Sequence, residues 1–174
     1  MKFNLYQCII QREDREVRAH IVAPSHDRAW MTVIEHERAV GIEHQDLSLT
    51  RVDDTLCQDH RHGLDQLLRT APVGFASYSS IGWLAHTAPV EQLKLFRLVD
   101  DDSGDLYAVA PNVDIAASVF TVPLGVPTDG AKLLRIADGM VGLPDDQRAN
   151  LPRLLEFGPI GIVEFDDKNG WSFT

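Results

Sequence analysis

Cysteine and positive charge are both scarce in this chain, and each scarcity removes a class of function. Two cysteines, Cys8 and Cys57, in 174 residues cannot build a disulfide framework. Residues 1–7 carry no uninterrupted apolar core of the kind a secretory signal needs, so the expected location is cytoplasmic. Lys and Arg total 16 against 26 Asp and Glu, a formal net charge of −10. That is the wrong sign for coating phosphates, and no Lys/Arg run offers a local basic patch, so direct nucleic-acid binding is not expected. The most apolar stretch, residues 115–126, is broken by Pro123. It also falls short of the roughly 20 residues that span a bilayer, which argues against a membrane partner. No G-x-x-x-x-G-K-[ST], G-x-G-x-x-G or G-x-S-x-G pattern occurs. Nucleotide cofactors and the common hydrolase elbow therefore find no support. Hydrophobic residues at 44% and charged residues at 24% still describe an ordinary folded chain.

What the sequence does contain is repetition. Val22-Ala23-Pro24-Ser25-His26-Asp27-Arg28-Ala29 recurs 87 residues on as Val109-Ala110-Pro111-Asn112-Val113-Asp114-Ile115-Ala116. At the same shift Asp59, Arg61, Leu64, Leu67, Leu68, Pro72 and Gly74 meet Asp146, Arg148, Leu151, Leu154, Leu155, Pro159 and Gly161. Leu47 and Leu49 meet Leu134 and Ile136, and Gly82-Trp83 meets Gly170-Trp171 one residue further along. Leu5 to Ile9 meets Leu95 to Val99 if the first hairpin differs by three residues. The expectation is a tandem duplication, with a first repeat over 1–87 and a second over 88–174.

Reading the copies together predicts the elements. Residues 3–10 and 16–23 form a hairpin around Arg12-Glu13-Asp14-Arg15, and 93–99 with 105–110 form its counterpart around Asp101-Asp102-Ser103-Gly104. Ser25 and Asn112 cap the next helix, with Asp27 and Asp114 in its first turn. Ala29, Trp30, Val33, Ile34 and Val40 make the first helix's apolar stripe. The second copy's helix should end near Phe120, because Pro123, Gly125 and Pro127 interrupt it. A third strand follows, around Leu47 and Leu49 in one copy and over 133–136 in the other. A short helix over 63–69 or 150–156 comes next, with Asn150 as a cap. A fourth strand over 73–78 or 160–165 completes the unit, and the turn 167–170 leads to a fifth around Trp171 and Phe173. The unit reads ββαβαβ(β): an α+β fold of mostly antiparallel sheets with helices packed on one face. The connector 84–92 is short and partly apolar, which favours two copies packed as one body about a pseudo-two-fold axis.

Candidate chemistry is lopsided. All seven histidines (His20, His26, His36, His44, His60, His62 and His86) and both cysteines lie in the first repeat. Cys57-Gln58-Asp59-His60-Arg61-His62 gathers thiol, carboxylate and imidazole in six residues. Those are the ligand types for zinc or another transition metal, and Cys57, Asp59, His60 and His62 are the candidate ligands. The spacing matches no standard zinc pattern, and the second repeat offers Pro144, Asp146, Gln147 and Ala149 instead. A Cys57–His60 nucleophilic pair is a narrower option. His36-Glu37 begins like H-E-x-x-H, but position 40 is Val40, so Glu35-His36-Glu37-Arg38 reads as a solvated helix face. His20 stands opposite Tyr107 in the alignment, which suggests a half-buried strand position. Cys8 stands opposite Leu98, which suggests a core thiol. Residues 100–105 lack the Gly and Glu spacing of a calcium loop.

Charge also differs. Residues 1–87 hold nine basic and twelve acidic side chains, and 88–174 hold seven and fourteen. With no catalytic constellation in view, the leading expectation is a non-enzymatic binding or adaptor protein with an acidic surface. Its partner would be another protein or a second copy of the chain. The alternative is a metal-binding protein or metal-dependent enzyme that uses the His-rich first repeat. A third reading is an acidic decoy for a DNA-binding protein.

Overall fold

The chain divides into two units, Met1–Val90 and Glu91–Thr174. The computed structural model describes residues 3–100, 104–124, 132–135, 143–148, 151–167 and 170–174. Residues 101–103, Gly125, Pro127, Ile136, Ala149, Asn150 and the centre of the 167–170 turn, all used in the sequence reading, lie outside them.

Unit 1 runs β1 (Asn4–Gln11), β2 (Glu16–Ala23), α1 (His26–Val40), β3 (Asp46–Arg51), a 3-10 turn (Gln58–Arg61), α2 (Leu64–Thr70), β4 (Gly74–Ser79) and β5 (Gly82–His86). Its strands pair in the order β3-β1-β2-β4, with β5 on β4, and each of these pairings is antiparallel. Unit 2 runs β6 (Lys94–Asp100), β7 (Gly104–Ala110), α3 (Val113–Leu124), β8 (Lys132–Arg135), α4 (Asp145–Arg148), α5 (Leu151–Phe157), β9 (Gly161–Asp166) and β10 (Gly170–Phe173). Its strands pair β8-β6-β7-β9-β10, again antiparallel. The fold is thus mixed α+β with mostly antiparallel sheet.

Register carries the comparison further. His20 faces Ala76 and Val22 faces Gly74; in unit 2 Tyr107 faces Val163 and Val109 faces Gly161. Leu5 lies opposite Val22, and Leu95 opposite Val109. The third strand departs from the sequence alignment. Cys8 faces Leu49 and Leu98 faces Leu133, so Leu49 corresponds to Leu133 and not to Ile136. A three-residue difference in the preceding segment moves the strand by that amount, and runs of leucine hide the slip because both registers look apolar.

The helices cap as their sequences require. The Ser25 hydroxyl accepts from Arg28 N at 3.3 Å, and Asn112 Oδ1 accepts from Ile115 N at 3.0 Å. At its other end α1 stops at Gly41, whose φ of 71° suits glycine and whose N–H donates to the Glu37 carbonyl. Helix α3 continues to Leu124, past the end expected near Phe120. Pro123 falls in its last turn, where a missing N–H costs a single helical bond.

The expectation of helices on one face is overturned. Tyr6, Ile21 and Phe75 lie in register on one side of the unit 1 sheet, and α1 covers them, with His36 edge-on to Phe75 at 5.4 Å. Leu5, Val22, Ala76 and Trp83 lie on the other side, packed with Leu64, Leu67 and Leu68 of α2. Unit 2 is built alike. Phe96, Leu98 and Ala108 meet Ala116 and Phe120 of α3, while Leu95, Val109, Val163 and Trp171 meet Leu151 and Leu154 of α5. The physical reason is readable in the strands. Adjacent residues such as Leu5-Tyr6, Ile21-Val22 and Phe75-Ala76 are all buried, so both faces of the pleat must be covered. Among the described residues no helix is long and apolar enough to cross a membrane.

Candidate functional site

The segment that leaves β3 and enters α2 carries Cys57, Asp59, His60 and His62, and its backbone is held at several points. Arg51 donates two hydrogen bonds to Asp53, at 2.8 and 2.7 Å, and fixes the exit from the strand. Burial opposes the Asp53 charge, but the Arg51 guanidinium and nearby backbone N–H groups outweigh it and hold the carboxyl below its ordinary range. Val52 N donates to the Leu5 carbonyl, and Thr55 N and Leu56 N fold back onto the Val52 carbonyl. Arg61 then reaches back along the loop, donating from Nε to Leu56 O and from Nη2 to Asp54 O, each at 3.1 Å.

Two aromatic side chains hold the 3-10 turn from the sheet side. Tyr78 on β4 donates its hydroxyl to the Asp59 carbonyl at 2.6 Å, and Trp83 on β5 donates Nε1 to the His60 carbonyl at 2.6 Å. The rings pack edge to face, with His20 against Trp83 at 5.0 Å and Trp83 against Tyr78 at 5.5 Å. Gly82 completes the support. Its φ is 106°, and a Cβ there would lie 2.9 Å from the His62 carbonyl, so only glycine allows the hairpin to approach the loop.

On this frame Cys57 Sγ lies 3.3 Å from His60 Nδ1, and both side chains are exposed. The His60 ring also stands edge-on to Tyr78 with centroids 4.9 Å apart. Asp59 contributes a backbone carbonyl to the frame, and His62 lies against Gly82. Among the described residues no group of three or more His, Cys, Asp or Glu side chains comes together to hold a metal ion. The loop therefore brings Cys57 to His60, and the remaining two candidates occupy separate places.

Unit 2 has the same frame under different side chains. Trp171 Nε1 donates to the Gln147 carbonyl, Tyr107 and Phe165 stand edge-on to Trp171 at 5.2 and 5.5 Å, and Arg148 Nε donates to Leu143 O at 3.1 Å. These partners match Trp83–His60, His20 and Tyr78 against Trp83, and Arg61–Leu56. The positions of Cys57 and His60 hold Pro144 and Gln147.

A second cluster was not legible in advance. His36 and Glu37 are 2% and 5% exposed, so the solvated helix face expected at 35–38 is corrected. Glu37 accepts from the buried Arg12 on one oxygen and from His44 Nδ1 at 2.6 Å on the other, while His36 Nδ1 donates to the Pro89 carbonyl at 3.1 Å. Positions 29, 33, 36, 37 and 40 form one helical stripe, which placed both residues on the inward side. The charge of Glu37 obscured that, because its partners lie 25 residues before it and seven after. Cys8 is fully buried, as its place opposite Leu98 suggested. Compared with known proteins, the chain matches no protein-family model, no curated protein and no solved structure.

Proposed function

We propose that the chain is a tandem duplication of one ββαβαβ(β) unit and works as a non-enzymatic, cytoplasmic binding or adaptor protein with an acidic surface. The loop Cys57–His62 of the first copy is its recognition element. One observation carries this reading: the two copies hold this loop through equivalent Trp, Arg and ring contacts, yet only the first presents thiol and imidazole to solvent. A frame retained in both copies serves folding, whereas side chains that differ on the same frame answer to separate demands. Affinity capture with the full chain against a Cys57→Ser/His60→Asn/His62→Ala variant tests it. A protein retained by the native chain and lost by an equally stable variant supports the reading. The same captured set for both overturns it.

The second reading is a metal-binding protein, favoured by the Cys57–His60 pair itself. Two donors 3.3 Å apart can share one tetrahedral zinc or similar soft divalent ion, with further ligands from a partner or a second copy. Metal analysis of protein purified without a histidine tag separates the two. Near-stoichiometric zinc, iron or nickel selects the metal reading, and its loss in Cys57→Ser locates it.

A further inference from the structure

We propose that the surface around α2 and β5 is a docking groove for an extended peptide segment that carries an apolar and an acidic side chain two residues apart. This rests on the binding reading above, for which it names the chemistry of the partner, but it uses neither Cys57 nor His60.

The first support is apolar surface left in water. Leu67 and Ala71 of α2 and Trp83 of β5 line an open hollow of about 430 Å³. Ile81 and Leu84 line it as well, and they are 68% and 41% exposed. Among the described residues no charged side chain lines this hollow. Exposed apolar side chains that adjoin a shared hollow gain from a cover that a lone surface leucine does not need.

The second support is charge of the opposite sign to the chain. Gly63, Gln66 and Thr70 line this hollow and also a second open one of about 530 Å³, so the two meet along one stripe of α2. The second is lined by Arg61, His62 and Arg69 against one carboxylate, Asp65, in a chain of net charge −10. Arg12, Arg15, Arg18, Arg28 and Arg51 each reach a carboxylate, whereas among the described residues Arg61 and Arg69 reach none. Arg61 is held in place all the same, by its bonds to Leu56 O and Asp54 O. A guanidinium positioned in advance loses little freedom when it takes a carboxylate.

The third support selects an extended peptide. β5 pairs with β4 on one edge, and among the described residues no strand pairs with its other edge. Trp83 and Ala85 of β5 pack on the α2 side of the sheet. A segment laid along the open edge gains main-chain hydrogen bonds, and every second side chain points to that side. Of two such side chains, an apolar one enters the uncharged hollow and an acidic one reaches the arginines across the stripe. Both hollows are open, which suits a segment lying on the surface better than a small molecule that needs enclosure.

The test is fluorescence anisotropy of the full chain with a labelled, end-blocked peptide that repeats serine, leucine, serine, glutamate. Arg69→Glu and Ile81→Ser probe the two hollows. Arg38→Glu, at an exposed position of α1, makes the same charge change outside them. All three positions are exposed, so the urea midpoints should match the native chain. The native chain should bind the peptide saturably. Arg69→Glu and Ile81→Ser should each weaken binding by about tenfold, and Arg38→Glu should change it by less than about twofold. Equal binding of a peptide with lysine for glutamate, equal weakening by Arg38→Glu, or no saturable binding overturns the proposal. So does displacement of the peptide by an equal concentration of decanoate, which has the charge and the apolar chain but no backbone. Sedimentation of the chain alone covers the other occupant: a dimer that Ile81→Ser dissolves assigns the groove to a second copy and overturns the peptide. A chain that ignores this peptide, yet captures a partner that Cys57→Ser/His60→Asn/His62→Ala loses, keeps the binding reading and ends this one.

Discussion

Trp83 and Trp171 do the same structural work in the two units, and what each one carries differs. Each indole donates to a backbone carbonyl in the segment before α2 or α5, and each is flanked by two rings at nearly the same distances. In unit 1 the flanking residues are His20 and Tyr78, and the held loop shows Cys57 and His60. In unit 2 they are Tyr107 and Phe165, and the loop shows Pro144 and Gln147. Phe165 has no hydroxyl, so unit 2 lacks the tie that Tyr78 makes to Asp59. Among the described residues, unit 1 adds the Tyr78 hydroxyl to the supports of its loop, beside the place where Cys57 and His60 are displayed.

The strongest way to break the comparison is to remove the indoles. Trp83→Ala and Trp171→Ala should each cost about 4 kcal/mol in urea denaturation, because both leave a core cavity and an unpaired carbonyl. Losses of very different size would mean that the two frames are not equivalent. Next comes the buried Arg12–Glu37–His44 cluster of unit 1. Glu37→Ala strands Arg12 without its carboxylate and should cost about 3 kcal/mol. Replacing Arg12 and Glu37 together with Met and Leu should recover most of that.

A pH series sharpens the same contrast. The Asp53 carboxyl is held below its unfolded value, so its contribution is fully present above about pH 4 and lost as pH falls through the folded value. Asp53→Asn should therefore be less stable than the native chain at pH 7, with the gap narrowing as pH falls below about 4. The smallest effects should be the most equal. Ser25→Ala and Asn112→Ala should each cost about 1 kcal/mol, since each removes one capping acceptor.

Much of this fold was legible because short motifs recur along the sequence. The hairpins, the Ser25 and Asn112 caps and the order of elements follow from residues that recur in both halves. The two-sided packing was missed because the alignment drew attention to matching positions and away from the burial of consecutive ones such as Leu5-Tyr6. The slip at Leu49 was missed because one leucine resembles another at either register. Cys57 and His60 stood out by residue type, and their contact follows from a 3-10 turn that brings positions three apart together. The Arg12–Glu37–His44 cluster had no local signal, because three separate stretches of chain meet only in the folded unit.

The central claim is that the two loops share one scaffold and that residue choice alone sets their chemistry. The most direct test transplants that choice. Pro144→Cys with Gln147→His should leave the urea midpoint unchanged, because Pro144 is exposed and Trp171 binds only the backbone carbonyl at position 147. A marked loss of stability would contradict the account.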